Sequence, residues 1–197
     1  MLKNPQDRRA KRTVSQIKET MLSCMEHKAI HEITVSEICK TCQINRATFY
    51  DHYRDVFDLV QDLQTDILFE LENLKNTASP ENTPDDLVSR LFFDFLSSHQ
   101  RAMTVLLTCE QSQPFIKRLD EKIMPFFQQK IRQNYEIPAG MERQLQAAME
   151  FVATGYYRFF MKALTALPRE TIAEAELCAK LSDACLRVLF QRKENIS

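Results

Sequence analysis

Residues 33–53 read ITVSEICKTCQINRATFYDHY, and this stretch contains two signals for the start of a helix. Its Thr-Val-Ser-Glu segment has the spacing of a capping box and predicts a short helix at 34–42. Asn45 is a good N-cap for a further helix at 46–53. The three residues 43–45 join the two helices, and this is the layout of a helix-turn-helix.

The second helix of a helix-turn-helix enters the major groove of duplex DNA and shows its first residues to the base edges. In this sequence Phe49 is the residue that we expect to pack inward, and Tyr50 is within reach of a phosphate. The residues that we expect to face outward are Arg46, Thr48, Asp51 and His52.

Hydrophobic spacing predicts helices on both sides of this stretch. A helix at 13–30, starting as early as Asp7, precedes it, and a long helix capped by Asp55 follows it with an apolar stripe of Phe57, Val60, Leu63, Ile67, Leu71 and Leu74. Further helices are predicted at 84–98, 101–110, 114–134, 141–165 and 169–192, with a loop at 77–82. The fold class is therefore all-α, with about nine helices and no sheet. We expect two domains: a helix-turn-helix domain with a basic arm (1–55) and a helical domain for dimerisation and effector binding (56–197).

The scarcity of glycine excludes several kinds of enzyme. The chain has two glycines, Gly140 and Gly155, too far apart for a dinucleotide-binding fingerprint, a P-loop or a Gly-x-Ser-x-Gly elbow. None of the four histidines belongs to a zinc or di-iron motif. The sequence predicts that the protein is not an enzyme and needs no cofactor or metal.

No stretch of the sequence predicts a membrane span, since the longest run without a charged residue is Ala102–Cys109, 8 residues. No secretory signal is evident at the start, so we expect a cytoplasmic protein whose six cysteines are reduced.

Charge is concentrated at the N-terminus. Residues 1–18 carry six Lys or Arg against one Asp, a net charge of +5, whereas the whole chain carries −1. A basic arm indicates an anionic partner, and the alternative interpretation is a solvated, disordered tail.

The segments 33–38 and 46–53 together resemble the DNA-binding domain of TetR-family transcriptional regulators. The resemblance covers residues 8–62 and is most specific in the Thr-Phe-Tyr run followed by a histidine and an aromatic residue. It implies a homodimer, formed through the last two helices, that binds duplex DNA. It also implies that Thr34, Ser36 and Tyr50 lie near phosphates, and that the positions near bases are those of Arg46, Ala47, Thr48, Asp51 and His52.

Two positions depart from the family pattern. Gln43 stands where the turn usually has Gly, and Val56 stands where the family has a phosphate-binding Lys, a role that Arg54 or the basic arm could take. These departures support an alternative function, a helical adaptor that binds another protein rather than DNA. The run at 55–59, with Asp-Arg-Arg at 7–9, resembles a subgroup that includes activators of dihydroxyacetone kinase operons.

Aromatic and Met side chains in the C-terminal part have two interpretations. They line a pocket for a small apolar or amphipathic effector, or they are core. The pocket candidates are Phe92, Phe95, Met103, Phe127, Phe151 and Tyr156.

The cysteines also have two interpretations. Cys24-x-x-His27 and Cys39-x-x-Cys42 have zinc-like spacing, but packing of buried thiols is the favoured interpretation. On the last helix, Cys178 and Cys185 allow a disulfide across a dimer, although core packing is favoured there as well.

The last helix carries an apolar face too broad for one neighbour in the same chain. It consists of Leu177, Cys178, Leu181, Ala184, Cys185, Val188 and Leu189. Gly155 lies in the middle of the preceding helix, and close approach of another helix would account for it. Both features predict a dimer interface.

Overall fold

The structure is a computed structural model that describes residues 5–77, 94–110, 112–163 and 168–193. The α-helices with defined bounds are Pro5–Met25 (α1), Val35–Cys42 (α2), Arg46–Tyr50 (α3), Val56–Thr77 (α4), Gln100–Thr108 (α5), Ser112–Asn134 (α6), Glu142–Ala163 (α7) and Pro168–Leu189 (α8). Residues 94–98 are also helical, and Ile30–Glu32 form a 3-10 turn. The predicted loop at 77–82 and most of the predicted helix at 84–98 lie outside the described residues.

The prediction of an all-α fold is confirmed, with local differences at helix ends. The first helix ends at Met25 rather than at residue 30, and the last helix ends at Leu189. Beyond it, Gln191–Arg192 (β2) pair antiparallel with Tyr135–Glu136 (β1). A ladder of two residues is too short to leave an alternating pattern in the sequence, which therefore predicts no sheet.

The chain divides into two compact units. The first consists of Met1–Phe69 with Thr104–Ile116, and the second consists of Glu70–Met103 with Lys117–Ser197. Residue 55, where the sequence predicts a domain boundary, lies in the first unit immediately before α4, and the boundary itself stays a prediction. Residues 104–116 belong to the first unit although they are distant from it in sequence.

The core of the first unit is built around α1, α2, α3 and the first half of α4. Helix α1 packs on α2, and α2 packs on α3. The side chains with essentially no exposure are Ile17, Met21, Ile38, Phe49, Leu59, Leu106 and Phe115. Full burial of one such side chain contributes about 1.5–3 kcal/mol.

Lys18 connects α1 to α4 through charge. Its Nζ lies 2.7 Å from Asp62 Oδ2 and 2.5 Å from Asp66 Oδ2, and its side chain is mostly buried. Burial by itself lowers the pKa of Lys18, but the hydrogen bonds to Asp62 and Asp66 more than offset it, so the pKa is raised. Asp62 also accepts a hydrogen bond from the Tyr53 hydroxyl at 2.8 Å. The Asp62 carboxylate on α4 therefore contacts both α1 and the segment that follows α3.

The second unit has its own apolar core near the end of the chain, formed by Ile131, Tyr135, Leu145, Met149, Leu186 and Phe190. The Tyr135 hydroxyl donates to Asp183, and the Lys193 amide donates to Asn134 O at 2.8 Å. Burial tends to raise the pKa of Asp183, but hydrogen bonds from Tyr135 and Arg187 lower it. These contacts fix the residues after α8 against the end of α6.

We predict that Lys18→Met lowers the free energy of unfolding by about 1 kcal/mol, because it leaves two partly exposed carboxylates without their shared cation. Urea denaturation at fixed protein concentration measures this, and Lys40→Met, at an exposed lysine of α2, is the control. Since the pKa of Lys18 is raised above its ordinary value of 10.5, the stabilisation is fully present below that pH. It is lost as pH rises through the folded-state pKa, so the difference between wild type and Lys18→Met shrinks only in strong alkali. Equal effects of the two substitutions on the free energy of unfolding would contradict a stabilising role for the ion pairs of Lys18.

Candidate nucleic-acid interface

The turn between α2 and α3 contains a left-handed residue. Gln43 has φ 54° and ψ 41°, and it alone among the described non-glycine residues has a positive φ. The Ile44 amide donates to Cys39 O at 3.0 Å, and the Gln16 side chain donates to Cys42 O at 3.2 Å. The carbonyls of Cys39 and Cys42 near the end of α2 are therefore satisfied, and only three residues separate α2 from α3. Glycine is common at this position because it has no Cβ to strain the left-handed backbone.

Both helices of the motif begin at the caps that the sequence predicts. Thr34 Oγ1 accepts the Glu37 amide at 3.2 Å, and Asn45 Oδ1 accepts the Thr48 amide at 2.7 Å. The third helix is shorter than predicted, because α3 ends at Tyr50 rather than at Tyr53. Residues 51–52 form a turn that leads to the buried Tyr53.

Phe49 is the inward-facing residue of α3, as predicted. Its side chain is fully buried, and its ring lies 5.8 Å from the ring of Tyr53. Its carbonyl accepts the amides of His52 and Tyr53. The exposed residues on and after the helix are Arg46, Ala47, Tyr50, Asp51 and His52.

Thr48 and Arg46 are held by side-chain hydrogen bonds. The Thr48 hydroxyl donates to Asn45 Oδ1 at 3.0 Å, which directs it to the cap, and Thr48 is half-buried. The Arg46 guanidinium donates through Nη2 to Ser36 Oγ on α2. Thus the structure brings together Ser36, which the resemblance implies lies near phosphates, and Arg46, which it implies lies near bases.

The basic arm is helical where the structure describes it. Arg8, Arg9, Lys11 and Arg12 lie in α1 and are exposed. Arg8 precedes the buried Ile17 by nine residues, which is about two and a half turns, so it faces away from the core. Lys11 and Arg12 follow Arg8 at spacings of three and four and share its side of the helix. Within the described residues, none of these four side chains takes part in an ion pair.

The start of α4 shows how the departure at Val56 is accommodated. Val56 is 7% exposed and belongs to the core, whereas Phe57, expected on the apolar stripe, is 46% exposed. The expected cap is present, since Asp55 Oδ1 accepts the Asp58 amide at 2.9 Å. Arg54, the candidate substitute for the missing lysine, is exposed and pairs with Asp58 at 3.0 Å, and this hydrogen bond lowers the pKa of Asp58.

The four residues with zinc-like spacing are used in different ways. Cys39 and Cys42 are buried, and Cys42 Sγ donates to Thr20 Oγ1 at 3.1 Å. Burial raises the pKa of Cys24 and of Cys39, which favours the neutral thiol. In the described part of the chain, no group of three or more His, Cys, Asp or Glu is placed to hold a metal ion.

The residues expected to line an effector pocket differ in how deeply they are buried. Phe95 and Met103 are buried in the second unit, Phe127 is half-buried, and Phe151 is 69% exposed. Phe92 and the side chain of Tyr156 lie outside what the structure describes. Phe95 stacks on His99 with ring centroids 4.7 Å apart, and His99 Nε2 lies 2.5 Å from Glu70 Oε2.

Large apolar side chains on α7 and α8 remain exposed in the single chain. Leu181 is 56% exposed and Val188 is 82% exposed, and Leu177, Leu189 and Phe151 are also exposed. Leu177, Leu181 and Val188 share one side of α8 by their spacing. A Cβ added at Gly155 would meet no atom of the chain within 4 Å. Packing inside the described chain therefore gives no reason for this glycine. The side chain of Cys178 is outside the description.

Comparisons with known proteins agree with this architecture. No protein-family model matches the chain. Among curated proteins, the uncharacterized HTH-type transcriptional regulator YxbF of Bacillus subtilis (strain 168) is 27% identical over 118 residues, which are 59% of this chain and 28% of that protein. The chain thus spans less than a third of that relative.

Solved structures resemble nearly the whole chain. The dihydroxyacetone kinase operon activator DhaS has a TM-score of 0.61 at 15% identity, covering 91% of this chain and 98% of that one. A TetR transcriptional regulator from Streptococcus agalactiae 2603V has a TM-score of 0.63 at 15% identity, covering 94% and 98%. The fatty acid degradation regulator FadR from Bacillus halodurans has a TM-score of 0.63 at 13% identity, covering 98% and 100%.

The chain has the fold of TetR-type transcriptional regulators. The resemblance found in residues 33–53 is confirmed at the level of the fold, and the named neighbours are regulators rather than enzymes. No helix in the described ranges is long and apolar enough to cross a membrane.

We predict that Gln43→Gly raises the free energy of unfolding by about 0.5–1 kcal/mol. A non-glycine residue in the left-handed conformation costs about 1–3 kcal/mol, and glycine removes this strain. Part of the benefit is lost because glycine gives the unfolded chain more conformational entropy. Urea denaturation at fixed protein concentration measures the change. The control is Lys40→Gly, three residues earlier in the helical part of α2, which we expect to cost about 1 kcal/mol. Destabilisation by both substitutions would show that the left-handed turn is not strained.

Proposed function

We propose that the protein is a DNA-binding transcriptional regulator of TetR type that binds a palindromic operator as a homodimer. The observation that carries this proposal is the helix-turn-helix itself. Its second helix anchors Phe49 in the core and leaves Arg46, Ala47 and Tyr50 exposed, with Thr48 half-buried. A helix with this division of faces suits the major groove of duplex DNA.

The exposed residues supply groups for both kinds of DNA contact. Arg46 and His52 carry nitrogen donors for base edges, and Asp51 carries an acceptor for a cytosine amino group. Ala47 suits an apolar contact with a thymine methyl group, and Thr48 contributes its own methyl group. For phosphates we propose Thr34, Ser36, Tyr50 and Arg54.

The cations of α1 fit a phosphate-binding role better than a role in folding. Arg8, Lys11 and Arg12 form a ridge on the side of α1 that faces away from the core, and the exposed Arg9 lies about a quarter of a turn from Arg8. Four like charges close together repel one another unless an anion neutralises them. The DNA backbone provides such anions at a regular spacing.

Dimerisation through α7 and α8 would cover the exposed apolar side chains. Leu177, Leu181, Val188 and Phe151 are costly to leave in water, and a two-fold interface buries each of them twice. The open space at Gly155 would let a partner helix approach closely. A dimer also presents two copies of α3, as two half-sites require.

We further propose that the protein acts in the cytoplasm without catalytic activity, and that a small apolar or amphipathic effector binds in the second unit. Buried Phe95 and Met103 and half-buried Phe127 are the candidate contacts. An effector that prefers one spacing of the two recognition helices would shift the dimer toward that spacing. Two proteins of similar fold are named as regulators, DhaS as the activator of a dihydroxyacetone kinase operon and FadR as a fatty acid degradation regulator.

A protein-binding adaptor is the second candidate function. The observation that favours it is the start of α4, where Val56 is buried and the apolar side chain of Phe57 is exposed. A gel shift with duplex DNA from upstream of the protein's own gene separates the two functions, because an adaptor would leave the duplex unshifted.

The direct test of the proposed function is selection from random duplex DNA by the purified protein. We expect enrichment of an inverted repeat whose half-site centres are separated by about one helical turn or a multiple of it. Recovery of unenriched sequences would reject the regulator and favour the adaptor.

We predict that a variant with Arg8, Arg9, Lys11 and Arg12 all changed to Gln binds DNA with a flatter dependence on salt. Each lost phosphate contact reduces the slope of log affinity against log salt by about 0.9. Substitution is preferable to deletion, because these residues form the first turns of α1. The control is a variant with Lys117 and Lys130 changed to Gln. An unchanged slope in the α1 variant would place the ridge away from DNA.

We predict that Leu181→Glu yields monomers that no longer bind the selected operator although their helix-turn-helix is intact. The substitution places two like charges in a self-complementary interface. Sedimentation measures the mass, and circular dichroism checks that the monomer is folded. Lys180→Glu, one position away, is the control and should remain dimeric. A wild-type protein that sediments as a monomer at micromolar concentration would contradict the interface.

A further inference from the structure

The hydrogen bond between Arg46 and Ser36 joins the two helices of the motif across their turn. Arg46 is the first residue of α3, and Ser36 is the second residue of α2. Both are exposed, and Arg46 Nη2 donates to Ser36 Oγ. Within the described residues, no acidic side chain forms an ion pair with Arg46 that would account for its orientation instead.

The chemistry of the pair leaves both side chains able to bind further groups. A serine hydroxyl has one donor and two acceptor positions, so accepting from Arg46 leaves the Ser36 O–H free to donate. A guanidinium has five N–H donors, and one is used in this bond. The remaining donors keep the planar fork that matches the O6 and N7 acceptors of guanine.

We infer that Ser36 is the positioning residue for Arg46, and that the pair couples a phosphate contact on α2 to a base contact on α3. This inference rests on the proposed DNA-binding function and assigns to Ser36 a part in sequence discrimination. Bound to a phosphate, the Ser36 hydroxyl would present its oxygen lone pairs toward Arg46. The Arg46 side chain would then already be ordered when it reaches the base edge.

Ordering matters because a free arginine side chain is flexible. Its several rotatable bonds must be fixed when it binds a base, and fixing them reduces the affinity. A guanidinium held in advance avoids part of this loss. The advantage appears only where a guanine is present to accept the fork, so it affects selected DNA more than random DNA.

The experiment is a double-mutant cycle on two DNA probes. Ser36→Ala, Arg46→Ala and the double variant are each titrated with a duplex carrying the site selected by the wild-type protein, and with a shuffled duplex of the same length and composition. We expect Ser36→Ala to weaken binding to the selected duplex about 3- to 10-fold more than to the shuffled duplex, as expected for losing the order of one long side chain. In the Arg46→Ala background this extra loss should disappear.

Two further variants separate positioning from other roles. Ser36→Thr keeps the hydroxyl and should retain discrimination between the duplexes. Thr41→Ala removes an exposed hydroxyl at the other end of α2 and should leave discrimination unchanged. Circular dichroism confirms that each variant is folded.

Equal losses on the two duplexes, or the same loss with and without Arg46, would overturn the inference and reduce Ser36 to a phosphate contact. That result would leave the proposed function intact. A wild-type protein that selects no sequence at all would instead reject the proposed function, and the inference with it.

Discussion

Helix α3 of the first unit is too short to be stable alone. A five-residue helix forms barely more than one turn, and isolated helices of that length do not persist in water. Its existence depends on the burial of Phe49, because this side chain is the one on α3 with no exposure. The Asn45 cap sets where the helix begins, and the buried Tyr53 fixes the chain after it. Every proposed contact that α3 makes with DNA therefore depends on one aromatic anchor, Phe49.

The segment that follows Phe49 is connected to the rest of the first unit through Asp62. Asp62 receives both Lys18 of α1 and the hydroxyl of Tyr53, so one side chain of α4 constrains the elements before and after the turn. Burial and the hydrogen bond to Asp62 both raise the pKa of Tyr53, so that its hydroxyl stays a donor at neutral pH. Helix α4 also carries the chain from the first unit to the second. A movement of α4 would therefore act directly on the segment that follows α3.

Features encoded locally could be read from the sequence. Thr34, Asn45 and Asp55 are helix caps as predicted, because a cap and its partner lie three residues apart. Features that depend on distant residues could not be read. The burial of Val56 in place of Phe57 is a shift of one position, which spacing of three and four does not resolve. The bond from Arg46 to Ser36, the membership of 104–116 in the first unit and the ladder at Tyr135 all depend on tertiary contacts between segments separated along the chain.

The outward side of α3 has a consequence for how such a protein changes over generations. Ala47, Asp51 and His52 are exposed, and they contribute little to the apolar core that holds the helix in place. Exposed substitutions away from special contacts usually change stability by less than about 0.5 kcal/mol. The amino acids at these three positions can therefore vary with little effect on folding. Under the proposed DNA-binding function, a duplicated gene could acquire new target sequences through a few substitutions here, while its copies continue to fold from the same inherited core.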